Sequence, residues 1–197
     1  MTFKLGLTGS IGMGKSTTAR LFKEEGCAVW DADAAVHRLY AKGGAAVDPI
    51  ARIWPDVVQD GAVSRENLKS RIAEAPSALG KLENIVHPLV RRDRQEFLAR
   101  TDADIVVFDI PLLFETGTER SMDAVVTVTA SPEEQKRRVL ARGTMTEAEV
   151  DAMIAKQMSD ADKRARADYV IMTDTLDHAR EQVRSVLADV RRKMENA

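Results

Sequence analysis

The sequence predicts an α/β protein, a parallel sheet with helices on both faces. Three observations carry that expectation. Segments that read as strands alternate with segments that read as helices along the chain. Two of the strand segments, Ile105–Phe108 and Ala124–Val128, are continuous apolar runs, as expected of central strands buried on both faces. A glycine-rich turn joins the first strand, Phe3–Thr8, to the first helix.

The elements follow in order. From Lys15 to about Glu25, Ala19, Leu21 and Phe22 fall on one helical face. Cys27–Trp30 reads as a second buried strand that ends at Asp31. Helices are expected over Asp33–Lys42 and Val47–Trp54, separated by Gly43-Gly44. Asp60-Gly61 is a turn signal, and Ser64 precedes a helix start. A long helical pattern fills Ser77–Arg100, and Pro88 should kink or break it. Ser131 caps a helix with Pro132 in its first turn. Thr146 to Glu149 has the form of a capping box. Tyr169–Met172 is a final strand, and Leu176–Lys193 a terminal amphipathic helix.

Composition bounds the function. The chain has 197 residues, enough for one generous domain or one core with inserted subdomains. Hydrophobic residues make up 44% and charged residues 30%, as in an ordinary soluble protein. A formal net charge of -2 gives no field for a nucleic-acid or membrane partner. Residues 65–100 depart from the average, with eight Lys/Arg against five Asp/Glu, hence +3. Such a stretch suits a phosphorylated ligand, and it also suits a solvated helical face. No apolar run approaches the ~20 residues of a membrane span, and the opening residues do not form a signal peptide. The lone Cys27 allows no internal disulfide and reads as a small core thiol, consistent with a cytoplasmic protein. No His/Cys spacing suggests zinc. A monomer, or at most a weak homo-oligomer, is expected.

The strongest motif is Gly9-Ser10-Ile11-Gly12-Met13-Gly14-Lys15-Ser16, which matches GxxxxGK[ST] between a strand and a helix. Glycines at Gly9, Gly12 and Gly14 let backbone N–H groups close around phosphate oxygens. Lys15 supplies a point charge to the β- and γ-phosphates, and the Ser16 hydroxyl is the candidate ligand for Mg²⁺. The pattern predicts a P-loop NTPase-type sheet that binds ATP with Mg²⁺. It does not by itself separate a kinase from a nucleotide-dependent switch. The guanine-reading Asn-Lys-x-Asp pattern is absent, and the chain is short for a motor.

Asp31 and Asp33 follow the second strand, at the carboxyl edge of the sheet, where ligands bind in this class. A carboxylate there can take a proton from an attacking hydroxyl, help to hold Mg²⁺, or cap the next helix. Arg138 and Arg142 are four residues apart and share a helical face ahead of Gly143-Thr144, a candidate hinge. Asp109 ends a buried strand, where a Walker-B acid sits.

Taken with the P-loop and Thr17, several segments resemble the dephospho-CoA kinase family. They are Asp31-Ala32-Asp33 with His37, Asp60-Gly61 with Arg65 and Leu68, and Leu82-Glu83 before His87-Pro88-Leu89-Val90-Arg91. Pro111-Leu112-Leu113-Phe114-Glu115 follows, then Ser131-Pro132 with Gln135, Arg138 and Arg142, then Gln157, Lys163 and Ala167-Asp168-Tyr169-Val170-Ile171. One departure is visible: the family usually has an Asn, often followed by Gly, where this chain has Met172-Thr173-Asp174-Thr175.

The resemblance implies transfer of the ATP γ-phosphoryl group to the ribose 3′-hydroxyl of dephospho-CoA, the final step of coenzyme A synthesis. It implies a core (1–60, 101–142 and 167–197), a helical insert for the CoA substrate (61–100) and a lid (143–166). It implies that Asp33, the second aspartate of its motif, is the base, with Lys15 and Arg142 in phosphoryl transfer. Gly9, Gly12, Met13, Gly14, Lys15, Ser16 and Thr17, with Arg138 and Arg142, would hold ATP. Asp33, Arg65, His87, Arg91, Leu112 and Glu115 would touch the acceptor. Another P-loop kinase of nucleosides or small metabolites, and a non-enzymatic switch, are the readings it competes with.

Overall fold

The structure, a computed structural model, describes residues 2–75 and 77–196. Met1 and Ala197, in the expected core, and Pro76, in the expected helical insert, lie outside the described residues. The chain runs β1 (Phe3–Thr8), α1 (Lys15–Glu24), β2 (Ala28–Asp31), α2 (Ala32–Tyr40), α3 (Val47–Ile53), β3 (Val58–Gln59), β4 (Ala62–Val63), α4 (Arg65–Glu74) and α5 (Ser77–Arg100). It continues β5 (Ile105–Asp109), β6 (Ala124–Thr129), α6 (Pro132–Leu140), α7 (Glu147–Lys156), α8 (Asp160–Arg166), β7 (Tyr169–Met172) and α9 (Leu176–Glu195). Two compact units result, one of residues 1–30 and 102–197, the other of residues 31–101.

The first unit holds the sheet, ordered β2-β5-β1-β6-β7. The pairs β1–β5, β1–β6 and β6–β7 are parallel, with Leu5 opposite Val107 on one side and Ala124 on the other. All five residues of β5 and all six of β6 are buried. That is why these strands read as unbroken apolar runs rather than as alternation. The core joins Leu5, Leu7, Val107, Val126 and Val128 to Leu21 and Phe22 of α1 and to Val183, Leu187 and Val190 of α9. In α9, Ala179, Val183, Val186, Leu187 and Val190 make one face at helical spacing.

At its open edge, β7 turns the Met172 N–H and C=O away from β6. Both meet the Gln182 side-chain amide, each at 2.9 Å. Cys27 precedes β2 and is buried. Burial pushes its thiol up to about 11, against the opposing charge of Arg191.

The second unit packs α2, α3, α4 and α5 around Leu39, Tyr40, Ile50, Val57, Val63, Leu68, Leu82 and Val86. A short β3–β4 hairpin turns at Asp60 and Gly61, whose φ values of 50° and 81° are left-handed, as a two-residue hairpin turn requires. Ser64 caps α4 by accepting from the Asn67 N–H. The expected break at Pro88 does not occur: α5 runs unbroken through it. A proline forfeits one backbone hydrogen bond, and the turns on either side carry the helix on. Asp31 is the cap of α2, accepting from the Ala34 N–H at 2.9 Å, so that helix starts at Ala32 rather than at Asp33. Among the described residues, no helix is long and apolar enough to cross a membrane.

Candidate active site

The site in the first unit is built around the loop between β1 and α1. Gly12 and Gly14 sit at φ of 78° and 89°, left-handed conformations that L side chains resist. Space imposes glycine a second time. A Cβ on Gly12 would lie 2.7 Å from the Gln135 carbonyl oxygen, and one on Gly14 would lie 2.9 Å from Thr173 Oγ1. A Cβ on Gly9 would run into the Val128 side chain. Gly14 is the N-cap of α1 and offers no side-chain cap, and the first turn holds no acid. The positive end of α1 is therefore left for an external anion.

Lys15 is paired with Asp109 at the end of β5, and the two side chains are 15% and 3% exposed. The sequence directs Lys15 at phosphate; in this structure its ammonium rests on a buried carboxylate. Ser16 and Thr17, in the first turn of α1, are exposed.

Opposite the loop, α6 and the segment after β7 complete a cavity of about 410 Å³. Gly12, Gly14, Thr17 and Thr18 line one wall, and Arg137, Arg138, Arg142 and Thr173 to Leu176 line the others. Arg138 is heavily engaged. Its Nε donates to Glu134 at 2.6 Å, its Nη1 to Thr173 Oγ1 at 2.9 Å and its Nη2 to the Thr173 carbonyl at 2.5 Å. Hydrogen bonds from Arg137 and then from Arg138 pull the Glu134 carboxyl down to about 2. Arg142 is exposed, follows α6, and makes no ion pair among the described residues. Gly143, at φ 66°, comes next, before the capping box of Thr146 and Glu149 that opens α7.

The Pro111–Glu115 segment follows the carboxyl end of β5 in the same unit. The Pro111 carbonyl accepts from Thr8 Oγ1 at 3.0 Å and from Lys163 Nζ at 3.4 Å. Lys163, wholly buried on α8, reaches Glu115 at 2.9 Å, and the Met158 N–H donates to the same carboxylate at 3.1 Å. Burial pushes the Glu115 carboxyl up. The Lys163 ammonium and the N–H groups of Glu115 and Met158 outweigh that and hold it below the usual carboxylate range. Leu112 is 44% exposed, an apolar side chain presented to solvent beside this pair.

Four further candidates belong to the second unit. Asp33 is exposed in the first turn of α2. Arg65 opens α4, close enough to Tyr40 that its charge partly offsets the rise that burial gives the phenol. His87 and Arg91 are exposed one turn apart on α5. Burial, and next the neighbouring charge of Arg91, disfavour the charged form of Arg94.

The site also contains residues outside the predicted set. Asp109 was legible as an acid ending a buried strand, yet not as the partner of Lys15. Thr173 sits in the segment where the chain departs from the family pattern, and only the fold brings it to Gly14. Gln135 donates to the Ile11 carbonyl at 2.8 Å, and Gln157 accepts from the Ile11 N–H at 3.2 Å. Neither pairing has a sequence signature, because the partners are more than a hundred residues apart.

Comparison with known proteins places this geometry. The family described as dephospho-CoA kinase matches residues 3–178. A dephospho-CoA kinase of Ruegeria pomeroyi is 64% identical over 191 residues, covering 97% of each chain. A crystal structure of a Thermus thermophilus protein superposes with a TM-score of 0.84 at 37% identity, covering 95% of this chain and 97% of that one. A dephospho-CoA kinase from Campylobacter jejuni shares the fold, with a TM-score of 0.71 at 22% identity over 96% and 98% of the two chains.

Proposed function

The chain belongs to the dephospho-CoA kinase family, and from that premise we propose that the cavity beside the P-loop takes ATP for transfer of its γ-phosphoryl group to the ribose 3′-hydroxyl of dephospho-CoA. The observation that carries this reading is the cavity itself. It sets a phosphate-binding turn and the bare N-terminus of α1 against three arginines.

The residues divide the work as follows. Backbone N–H groups of Gly12, Gly14 and Lys15 cradle the β-phosphate, while the Met13 N–H donates to the Ser10 carbonyl at 3.1 Å and shapes the turn. Lys15 leaves Asp109 for the β- and γ-phosphates as nucleotide enters. Arg142, at the cavity wall and without an ion pair among the described residues, neutralises charge that builds on the transferring group. Arg138 lines the same cavity and braces its floor through Thr173. Asp33 takes the proton of the 3′-hydroxyl as its oxygen bonds to γ-phosphorus, and the bond to the β–γ bridging oxygen breaks toward ADP.

The donor set suits Mg²⁺. Ser16 offers a hydroxyl in the first turn of α1, Asp109 is the nearby buried carboxylate, and no cluster of three metal-ligating side chains exists among the described residues. Mg²⁺ is commonly bound that way, by few protein oxygens with substrate phosphates and water. When bound, it neutralises the β- and γ-oxygens.

On the acceptor side, the basic 61–100 segment with Arg65, His87 and Arg91 recognises the phosphorylated acceptor, and Leu112 and Glu115 contribute from the Pro111–Glu115 segment. Residues 143–166, which form α7 and α8, act as the lid over the phosphates, turning at Gly143. The test is a transfer assay with ATP and Mg²⁺, offering dephospho-CoA beside nucleosides and nucleoside monophosphates. Dephospho-CoA should show the highest kcat/KM. A nucleoside monophosphate used far better would overturn the acceptor assignment, and ATP hydrolysis indifferent to any acceptor would overturn the kinase reading.

A further inference from the structure

A P-loop works only if its N–H groups already point inward when phosphate arrives. In a planar trans peptide, the C=O and the N–H point in opposite directions. Holding a carbonyl from outside the loop therefore fixes the following N–H on the inside. Two P-loop peptides are held closely in this way, and the Gly12 carbonyl accepts from Arg138 Nη1 at a longer 3.5 Å. The Met13 carbonyl, which shares a peptide with the Gly14 N–H, accepts from Thr173 Oγ1 at 2.8 Å. The Ile11 carbonyl, which shares a peptide with the Gly12 N–H, accepts from Gln135 Nε2 at 2.8 Å.

Both side chains are buried, at 8% and 5% exposure. Thr173 is itself fixed: its N–H donates to the Thr129 carbonyl at 2.9 Å, and Arg138 donates to its carbonyl and to its hydroxyl oxygen. A hydroxyl that accepts from a guanidinium has its single proton left to give, and Met13 O is nearer than Thr129 O, at 2.8 Å against 3.2 Å. The same threonine closes over the Cα of Gly14, where a Cβ would come within 3.1 Å of its methyl carbon.

We propose that Thr173 and Gln135 are positioning residues that preset the Gly14 and Gly12 N–H groups for the phosphates of the nucleotide. They act from behind the loop and do not touch the reacting atoms. The proposal rests on the reading of this cavity as the ATP site. It assigns a role to the segment in which the chain departs from its family's pattern. Donors aimed before binding need no reorganisation on binding, so the effect appears in affinity for polyphosphate and not in affinity for the base and sugar.

The experiment compares Thr173→Val, Thr173→Ser and Gln135→Met with the unaltered protein, measuring ATP and adenosine affinity by calorimetry and competition, with thermal melts alongside. Valine keeps the shape of threonine and cannot donate. T173V should bind ATP about tenfold more weakly and adenosine unchanged, because the loss is about one hydrogen bond's worth of orientation. T173S, which keeps the hydroxyl, should stay within about twofold of the unaltered protein. Q135M should weaken ATP in the same selective manner through Gly12. Unchanged ATP affinity in T173V, failure of serine to rescue, or equal weakening of ATP and adenosine would each overturn the proposal. If T173V does not fold, Q135M decides by the same two ligands. Because binding is read directly, a protein that binds ATP but leaves dephospho-CoA unphosphorylated would overturn the proposed activity and leave this inference standing.

Discussion

Replacing Lys15 with methionine should cost stability as well as activity, and the two losses can be separated. The Lys15 and Asp109 side chains are 15% and 3% exposed. Lys15→Met keeps most of the apolar stem and leaves the Asp109 carboxylate buried without its ammonium partner. Breaking a buried ion pair from one side costs about 3–5 kcal/mol. Asp109 retains a further interaction and Lys15 is partly open to water, which places the loss at the low end, about 3 kcal/mol. For a chain of this size each kcal/mol moves Tm by about 2–4 °C, so the melt should fall by about 6–12 °C. Asp109→Asn removes the stranded charge, and the double variant should recover most of the lost stability. A double-mutant cycle isolates the coupling. Calorimetric melts without nucleotide supply the stabilities, and phosphoryl transfer supplies the activities. K15M and the double variant should both be inactive, since neither has a charge to offer phosphate. If K15M melts within about 1 °C of the unaltered protein, or if D109N fails to restore it, the pair does not stabilise the unliganded fold as argued.

Other outcomes follow from the same geometry. Arg142→Ala should lower kcat by about 10²–10³-fold, because an arginine acting on the transferring phosphoryl group supplies transition-state charge; a raised ATP KM at unchanged kcat would place it in ground-state binding instead. Asp33→Asn should cut single-turnover transfer by about 10²–10⁴-fold with ATP affinity nearly intact, and if Asp31→Asn stops transfer while Asp33→Asn does not, the two carboxylates exchange roles. Asp31→Ala should cost about 1 kcal/mol in a denaturant melt, the usual value of a lost N-cap. Cys27, with its thiol pushed up from 9.0 to about 11, should resist alkylation at pH 8 until denaturant is added. Its folded pKa is the higher one, so its contribution to stability is complete below about 9 and falls away as pH rises toward about 11.

The sequence made the framework legible wherever local chemistry decides it. The buried β5 and β6 announce themselves by unbroken apolar runs, and the starts of α4, α6 and α7 by Ser64, Ser131-Pro132 and Thr146 with Glu149. The P-loop was legible because its glycines answer to a local backbone demand. What stayed hidden depends on distant pairing. α8 has no apolar periodicity, since its buried residue is Lys163, held by a glutamate 48 positions earlier in the chain. The β3–β4 hairpin has strands of two residues, too short to alternate. Pro88 leaves α5 unbroken because the one hydrogen bond it forfeits is a small part of a helix of 24 residues. Thr173 looked like a departure from a pattern, and only the fold reveals that its hydroxyl sits behind Gly14.

The Gln182 amide at the rim of β7 has a consequence beyond the fold. Val170 and Met172 are exposed there, at 42% and 38%, on a strand whose far side has no neighbour in the sheet. An open rim with apolar side chains is a template on which another molecule can add a strand. Gln182 occupies the Met172 donor and acceptor together, as a neighbouring strand would, so a newcomer has to displace both bonds before it can grow along the rim. The primary amide is the one side-chain group that offers a donor and an acceptor side by side in the plane a peptide would use. A glutamate created there by slow deamidation would set oxygen against the Met172 carbonyl oxygen and unlatch the rim. The amide of a single surface side chain thus closes a sheet edge at the residue next to Thr173.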